Sequence, residues 1–401
     1  MPAPDGRNLL TTAQAAARLG VKPETVYAYV SRGLLISTRL PGVRGSIFDV
    51  EEVESLAGRD TARRTDIGAV ERIRSRITLL DNDRLYYRGH DAVDLSTRSV
   101  ESVAHFVWTG ELLDDVAFTA DPVVVQRCRD AAALMAADSR SIDRVRIAVD
   151  IASTHRPMRF DIGSKSVVGE AGNLLATVAA ALGPESSKTS VAELVWDALK
   201  SSTSHAGGLV VLRAALILLA DHGLAASTLA VRVAASTRAN LHAVLSAGMG
   251  CIDGPLHGSA AEPAYRFLSA AREDPIAALA GQLRSGVPVP GFGHVIYTEQ
   301  DPRAQELLRL LRNPDLGADP AVTSAADIVI EEMSERFETF PNSDFALAAF
   351  TCAYGLRPDA PEALFAIARI VGWTAHAMEE YDEEPLRFRV PGIYTGIRPI
   401  T

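Results

Sequence analysis

A histidine and an arginine lie close together on one stretch of this chain, residues 291–303, where the residue types could carry out chemistry. His294 follows two glycines and two prolines, and this composition predicts a loop whose backbone can approach a ligand closely. Asp301 and Pro302 predict a helix N-cap followed by proline at the first helical position, which puts Arg303 in the first turn. An imidazole and a guanidinium beside a loop suit a small carboxylate that carries a reactive carbonyl. Alone, the stretch is also typical of a proline-rich loop before a capped helix.

Three further side chains have suggestive neighbours. His222 ends a long apolar helix, where the alternative is a cation that interacts with the helix dipole. His257, in GPLHGSAAE, lies between a Gly-Pro turn and a predicted helix start, a position that disfavours the imidazolium and keeps the ring neutral. Asp344, in FPNSDF, has the alternative interpretation of a simple N-cap.

Together these side chains fit one reaction. A carbon nucleophile made from a thioester needs a carboxylate to take the α-proton and a neutral donor on the carbonyl oxygen. A second donor must polarise the ketone under attack, and arginines must hold its carboxylates. Asp344, His257, His294 and Arg303 can fill these roles in that order.

The composition excludes several classes of protein. With 401 residues, 47% of them hydrophobic and 22% charged, the chain is long enough for two or three globular domains. A formal net charge of −10 gives no overall basic character that would recruit nucleic acid or an anionic membrane. The three cysteines show no metal-ligand spacing, so no metal is expected, and a reducing cytoplasm is the simplest location. There is no signal-peptide pattern, and the longest apolar run, 207–220, is too short to span a bilayer.

Residues 8–56 predict a small unit of their own. Two short helices, AQAAARLG and TVYAYVSRG, joined by a tight turn make a helix-turn-helix pattern. LLISTRL and SIFDV, separated by PGVRG, predict a hairpin or wing. This unit resembles the winged helix-turn-helix heads of the MerR and excisionase type. A charged, poorly periodic link at 58–66 places the domain boundary there.

The charge of this head leaves two interpretations open. Residues 7–44 hold six basic side chains against the one acid Glu24. The basic residues are Arg7, Arg18, Lys22, Arg32, Arg39 and Arg44. The predicted recognition helix itself offers few cations, so weak phosphate contact is expected rather than sequence readout. The alternative is a docking module that binds no DNA.

The rest of the chain is predicted to be mainly α. A short strand pair turns at Asp81-Asn82-Asp83 and leads into a helix with apolar residues at the spacing of Val100, Val103 and Phe106. From there to residue 250, nearly every segment is rich in Ala, Leu and Val at helical spacing.

Residues 70–401 resemble citrate synthase. The motifs LLDNDRLYYRGHDAVDL, FVWTGELL, GPLHGSAAE, PGFGHVIYTEQDPR, PNSDF and AIARIVGWTAHAMEE occur in the order and spacing of that family. The resemblance implies a mainly α, two-domain helical fold behind the winged head. Its domains would be 1–66 with the linker, a large helical domain of 67–257 and 350–401, and a small domain of 258–349.

The resemblance also implies a role for each site residue. Asp344 would be the base, His257 would stabilise the enol of acetyl-CoA, and His294 would protonate the carbonyl of oxaloacetate. The oxaloacetate-binding residues would be His222, Arg303, Arg369 and, from the neighbouring subunit of a homodimer, Arg389. The loop that meets CoA would be Pro290, Gly291, Phe292 and Gly293. No tightly bound cofactor is implied, because acetyl-CoA is a substrate.

Two departures from the family pattern concern charge. Val295 and Thr298 stand where basic residues near the CoA phosphates are common, so an electrostatic contact to CoA would be weaker. Arg389 is followed by Val390 where the family usually has proline, which makes its assignment less secure than that of Arg369.

Three functions therefore remain open. The first is condensation of acetyl-CoA with oxaloacetate, followed by hydrolysis of citryl-CoA. The second is 2-methylcitrate synthesis from propionyl-CoA in the same site, since one methylene changes affinity by only about 1–3 kcal/mol. The third is a DNA-binding regulator whose body senses a metabolite, and such a body is expected to have lost one of the catalytic side chains, all of which are present here.

Overall fold

The structure, a computed structural model, describes residues 9–19, 21–31, 33–38, 45–50, 52–53, 73–201, 204–254, 257, 261–389 and 395. By its contacts the chain divides into two units. One comprises Met1–Ile73 with Leu386–Thr401, and the other is Arg74–Pro385.

The first unit contains the two predicted short helices. Helices α1 (Thr12–Leu19) and α2 (Pro23–Ser31) follow a strand, β1 (Leu9–Thr11). Their buried faces form a small core that also takes side chains from the strands and from residues 35 and 53. Helix α2 begins at its proline, as expected for a residue that lacks the N–H that a first turn leaves unpaired.

The described residues show one pairing of the predicted hairpin. Thr38 of LLISTRL and Ile47 of SIFDV form an isolated antiparallel bridge, and strand β2 (Ile47–Asp49) also pairs antiparallel with β1. The turn PGVRG falls almost entirely outside the described residues, as do Arg7, Arg32, Arg39 and Arg44. Strand β1 was not predicted, because three residues are too few to show the alternation of apolar and polar side chains that identifies a strand.

The second unit begins with a three-stranded antiparallel sheet. Strands β3 (Thr78–Asp81) and β4 (Arg84–Tyr87) are joined at Asn82 and Asp83, whose positive φ angles of 49° and 54° make the tight hairpin turn that was predicted. Strand β5 (His90–Asp91) completes the sheet.

Helices make up nearly all the rest of this unit. They are α3 (Ala92–Leu95), α4 (Val100–Thr109), α5 (Pro122–Ala133), α6 (Ser141–Thr154), α7 (Ser164–Leu182), α8 (Val191–Leu199), α9 (Gly208–Leu218), α10 (Ala226–Ser236), α11 (Leu241–Ile252), α12 (Ala261–Ala271), α13 (Pro275–Arg284), α14 (Pro302–Leu311), α15 (Pro320–Phe337), α16 (Ser343–Tyr354) and α17 (Ala360–Tyr381), with a 3-10 turn at Pro314–Leu316. The prediction of a mainly α body is confirmed.

Helix α17 organises the packing. Almost every side chain along its 22 residues is buried, and it packs against α4, α6, α7, α9, α10 and α11. A second layer forms from α12, α13, α15 and α16, which pack on one another. The loops that follow α9 and precede α14 carry His222 and residues 290–294, and the first turns of α14 and α16 carry Arg303 and Asp344.

No helix in the part of the chain that the structure describes is long and apolar enough to cross a membrane. Among those same residues, no group of three or more histidine, cysteine or acidic side chains is arranged to hold a metal ion.

Candidate active site

His222 lies just beyond the end of α9, in a buried position. Its Nε2 is 2.9 Å from the Tyr297 hydroxyl, and its ring stands edge-on to that of His294, with 5.2 Å between centroids. Burial and the positive charges of Arg303 and Arg369 lower the pKa of His222 well below its usual value. The ring is therefore neutral at neutral pH, and the alternative of a cation at the helix end is wrong.

The hydrogen bonds of His294 determine which of its ring nitrogens carries the proton. The backbone N–H groups of Ile296 and Tyr297 donate to its Nδ1 at 3.0 and 3.3 Å. Nδ1 is therefore the acceptor, and the proton of the neutral ring lies on Nε2. Burial and Arg303 lower the pKa of His294, which keeps the ring neutral. Nε2 is 3.5 Å from Nη2 of Arg303, so the two groups present N–H donors to the same region.

Arg303 is held by Asp301, the N-cap of α14. The carboxylate accepts from Nε at 2.9 Å, from Nη2 at 2.7 Å and from the backbone N–H of Arg303 at 3.0 Å. It also accepts the N–H of Ser343, the first residue of α16, at 3.0 Å. The predicted cap and proline are confirmed, and the side chain of Asp301 ties the starts of two helices together.

The interpretation of Asp344 as an N-cap is wrong. Asn342 caps α16, and its side-chain oxygen accepts from the N–H groups of Asp344 and Phe345 at 3.0 and 3.4 Å. The Asp344 carboxylate is thus not used in capping. Burial raises its pKa to about 6, although nearby Arg303 lowers it. A carboxylate with such a pKa is suited to accept a proton at neutral pH.

Arg369, on α17, is 2% exposed and its guanidinium lies 4.8 Å over the ring of Phe365. Its Nη1 is 3.8 Å from Oδ1 of Asp221, which is beyond hydrogen-bonding distance. Among the described residues, its Nε and Nη1 find no hydrogen-bond acceptor. A buried guanidinium with such donors is suited to bind a carboxylate.

His257 lies in a turn before α12. Its Nε2 is 2.7 Å from the hydroxyl of Ser227, and its ring packs edge-on against Phe365. Burial, and to a lesser extent the positive charge of Arg369, lower the pKa of His257, which favours the neutral ring that was expected. The predicted cause was a helix N-terminus, and it stays a prediction because residues 258–260 lie outside the described part of the chain.

The loop of Pro290, Gly291, Phe292 and Gly293 packs against the segment that leads into α16. The N–H of Gly293 donates to the carbonyl of Phe340 at 2.8 Å, and Asn342 Nδ2 donates to the carbonyl of Gly293 at 2.9 Å. At Gly291, φ is +84° and an added Cβ would lie 2.7 Å from that of Phe345, so only glycine fits. Phe292 packs against Phe345 with 4.8 Å between ring centroids.

The positions that depart from the expected basic pattern lie on the outside of the site. Val295 is fully exposed. The N–H groups of Thr298, Glu299 and Gln300 all donate to the carboxylate of Asp83 in the β3–β4 turn, at 2.9, 2.7 and 3.4 Å. Asp83 thus puts a negative charge beside Thr298, where the family resemblance predicts a positive one.

The structure brings His222, His294, Arg303 and Tyr297 into one contact network, and Arg303 acts electrostatically on Asp344. Arg389 is exposed and belongs to the first unit, so its role stays a prediction. Tyr297 and Asp301 were missed as site residues. Both belong to the GFGHVIYTEQDPR motif, but tyrosine and a capping aspartate are common structural residues and give no signal of their own.

The arrangement combines neutral imidazoles, buried guanidiniums and a carboxylate of raised pKa. Neutral N–H donors can stabilise developing oxyanions, arginines can hold carboxylates, and the carboxylate can take a proton from carbon. These are the components required to form and use an enol.

The chain matches known proteins both in its helix-turn-helix head and in its helical body. Residues 68–393 match the family described as "Citrate synthase, C-terminal domain", and residues 9–58 match "Helix-turn-helix domain". The citrate synthase of Haloferax volcanii is 35% identical over 193 residues, covering 45% of this chain and 49% of that one. The 2-methylcitrate synthase 2 of Corynebacterium glutamicum is 29% identical over 336 residues, covering 76% of this chain and 87% of that one. The chain thus spans about half the length of the first relative.

Among solved structures, the citrate synthase of Pyrobaculum aerophilum superposes with a TM-score of 0.69 at 21% identity, over 91% of this chain and 96% of that one. This likeness establishes the helical fold. The predictions of fold class and of a helix-turn-helix head are both confirmed.

Proposed function

Since the chain belongs to the citrate synthase family, we propose that it is an enzyme that condenses acetyl-CoA with oxaloacetate and hydrolyses the resulting citryl-CoA to citrate and CoA. The observation that carries the proposal is the state of Asp344. Asn342 performs the capping, and burial raises the pKa of Asp344 to about 6. A carboxylate buried at this cost, with no structural task, is best explained as a base.

In the proposed first step, Asp344 takes a proton from the methyl group of acetyl-CoA. The electrons of the broken C–H bond move into the carbonyl, and the N–H of neutral His257 stabilises the enol oxygen. The lowered pKa of His257 supports this role, because only a neutral ring can donate without first making the site more positive.

In the second step, the enol carbon attacks the ketone of oxaloacetate, and Nε2–H of His294 gives its proton to the new alkoxide. Arg303, Arg369 and His222 hold the two carboxylates of oxaloacetate. Water then attacks the thioester carbonyl and the C–S bond breaks to give citrate and CoA. The two protons of the water go to the departing sulfur and to His294, and Asp344 loses its proton to solvent. The support is the Nε2–H tautomer of His294, fixed by two backbone N–H groups, and the shared direction of this donor and Arg303.

We propose that residues 290–293 contact CoA and that residues 258–349 move as a small domain against 67–257 and 350–401. The mutual packing of α12, α13, α15 and α16 supports such a layer. Closure would remove water from the site.

We also propose a homodimer, in which Arg389 would reach the partner's site. Leu229 and Val233, one turn apart on α10, are 43% and 42% exposed and support an apolar contact face. Size-exclusion chromatography coupled to light scattering measures the molar mass and so tests the proposed homodimer. The cytoplasmic location stays a prediction.

A 2-methylcitrate synthase that uses propionyl-CoA is the second candidate, favoured by the Corynebacterium relative, which covers more of this chain than the Haloferax relative does. The test is steady-state CoA release with acetyl-CoA and with propionyl-CoA at saturating oxaloacetate. A higher kcat/KM for acetyl-CoA supports the proposal, and a higher value for propionyl-CoA replaces it with the second candidate. No release with either substrate, under conditions where a known citrate synthase is active, contradicts both.

The regulator alternative rests on the helix-turn-helix head. Because His257, His294 and Asp344 are all present, catalysis is the better-supported function. DNA binding by the head is proposed to be no more than weak phosphate contact. Titration of the full chain with duplex DNA at rising salt checks this, since such contact weakens steeply with salt.

A further inference from the structure

A buried row of polar side chains runs behind the proposed oxaloacetate site. Asp221, Arg232 and His376 are each 0% exposed, and Asp221 directly precedes His222. The proposed reaction uses none of the three. Fully buried charges require a compensating partner, so the row demands a physical account.

His376 is the centre of the row. Nε and Nη2 of Arg232 lie 3.1 and 2.9 Å from its Nδ1, and a guanidinium can only donate. Nδ1 is therefore an acceptor, and Nε2 carries the proton. Nε2 lies 3.3 Å from both carboxylate oxygens of Asp221, and the geometry of a hydrogen bond is met at Oδ2, which accepts it. Arg232 is itself anchored by Glu380, whose carboxylate accepts from Nη1 at 3.0 Å, and by Glu379.

Asp221 has two further donors on the same oxygen. The Thr78 hydroxyl donates to Oδ2 at 2.5 Å and the N–H of Gly223 donates at 2.9 Å. The side-chain hydrogen bonds that hold Asp221 thus converge on Oδ2. Oδ1 has no hydrogen bond and lies between His376 Nε2, at 3.3 Å, and Nη1 of Arg369, at 3.8 Å.

Helix α17 can approach this carboxylate because it has glycine at position 372. The N–H of Gly372 donates to the carbonyl of Ala220 at 3.0 Å, and any Cβ there would collide with Asp221. Arg369, Gly372 and His376 fall at spacings of three and four, so they share one face of α17.

The consequence concerns Arg369. If Asp221 moved about 1 Å closer, it would form direct hydrogen bonds to that guanidinium and occupy its donors. In its present position it offsets the buried positive charge and leaves Nε and Nη1 available.

We infer that His376 is a positioning residue: held in one tautomer by Arg232, it keeps Asp221 away from Arg369, so that Arg369 can bind a carboxylate of a dicarboxylic 2-oxo acid. The inference rests on the proposed function for the identity of the ligand. The TAHAMEE segment of α17 thus has a role in ligand binding, although none of its side chains takes part in the proposed reaction.

The test compares His376→Phe, His376→Gln and a control, Thr374→Val, which removes a buried hydroxyl from the same helix that bonds only to Ile370. Phenylalanine keeps the ring volume and removes both nitrogens. Glutamine can still donate to Asp221 from nearly the position of Nε2. Oxaloacetate KM and acyl-CoA KM are measured by CoA release, and melting temperatures are recorded for all variants.

We expect His376→Phe to raise the oxaloacetate KM about 10- to 100-fold, the size of a lost hydrogen bond to a charged group. The acyl-CoA KM should stay within about twofold, and His376→Gln should recover most of the loss. An unchanged oxaloacetate KM in His376→Phe overturns the inference. So does an equal rise in both KM values that Thr374→Val reproduces at a similar loss of melting temperature.

If His376→Phe does not fold, Thr78→Val replaces it, since it removes another donor to Asp221 from a partly exposed strand position. A rise of about threefold or more in oxaloacetate KM is then expected, and no rise overturns the inference. Calorimetric titration of each variant with oxaloacetate separates the two claims. A wild type that binds oxaloacetate but releases no CoA contradicts the proposed function, whereas equal affinity in wild type and His376→Phe contradicts the role of His376.

Discussion

Replacement of Asp344 by asparagine should make the protein more stable and nearly inactive at once. Asparagine keeps the shape of the side chain but cannot take the α-proton, so CoA release should fall roughly 10²–10⁴-fold. The same change removes a carboxylate that the folded state holds at a cost, because burial raises its pKa from 3.8 to about 6. A residue retained only for packing or capping would not combine these two effects.

The size of the stabilisation follows from the pKa. Each whole step in pKa corresponds to about 1.4 kcal/mol, so the rise from 3.8 to about 6 costs the folded state roughly 3 kcal/mol above pH 6. Asparagine loses the favourable interaction of a charge with the first turn of α16, worth about 0.3–1 kcal/mol. The net gain expected for Asp344→Asn is therefore about 2 kcal/mol at pH 7.5.

The sign depends on pH. The folded pKa lies above the unfolded pKa, so the wild type is favoured by protonation below pH 3.8 and loses that advantage as pH rises to about 6. The variant should melt a few degrees higher than wild type at pH 7.5, and the difference should disappear near pH 4. Asp301→Asn is the control of opposite sign, because Arg303 lowers the pKa of Asp301 despite burial and the variant should lose stability at neutral pH. Near-normal turnover, or a melting difference that does not change between pH 4 and 7.5, would refute the reasoning.

Three further predictions can be tested with the same assays. Arg303→Lys keeps the charge but loses the planar fork held by Asp301, so the oxaloacetate KM should rise about tenfold or more, and an unaltered KM contradicts the assigned role. Asp83→Ala removes the shared acceptor of three backbone N–H groups, so a protease should cleave within 298–300 faster and kcat/KM should fall about 3- to 10-fold. The control Asp83→Asn should lie nearer to wild type, and equal cleavage rates in Asp83→Ala and wild type contradict the prediction. Removal of residues 1–66 should leave kcat within about threefold of the full chain, and loss of all activity in a folded product would mean that the head contributes to catalysis.

Local patterns in the sequence predicted the parts of the fold that depend on neighbouring residues. The turn at Asn82 and Asp83, the buried helix α9 and the Asp301-Pro302 start of α14 were all predicted correctly. In each case the conformation is determined by residues within a few positions of one another.

The sequence left open which residue caps α16, because Asn342, Ser343 and Asp344 are three capping residue types in succession. Local propensity cannot distinguish among them. The hydrogen bonds that the side chain of Asn342 accepts identify it as the cap, and the position of that side chain depends on the folded structure.

Contacts between distant residues were not accessible to the sequence. Asp221 and His376 are 155 positions apart, and Asp83 reaches Thr298 across 215. Neither pairing leaves a periodicity or a spacing that a single sequence can show. The tautomer of His294 depends in the same way on how its loop folds back on the ring.

The carboxylate of Asp301 connects the proposed oxaloacetate-binding arginine with the helix that carries the proposed base. It anchors Arg303 and also the N–H of Ser343, the first residue of α16 and the one directly before Asp344. A mutation at Asp301 would therefore disturb the proposed clamp and the proposed base together. A substitution at Val295, which is fully exposed, should disturb neither of them. A suppressor screen that starts from a weakened Asp301 variant should recover second changes at position 303 or around Ser343 more often than elsewhere in the unit.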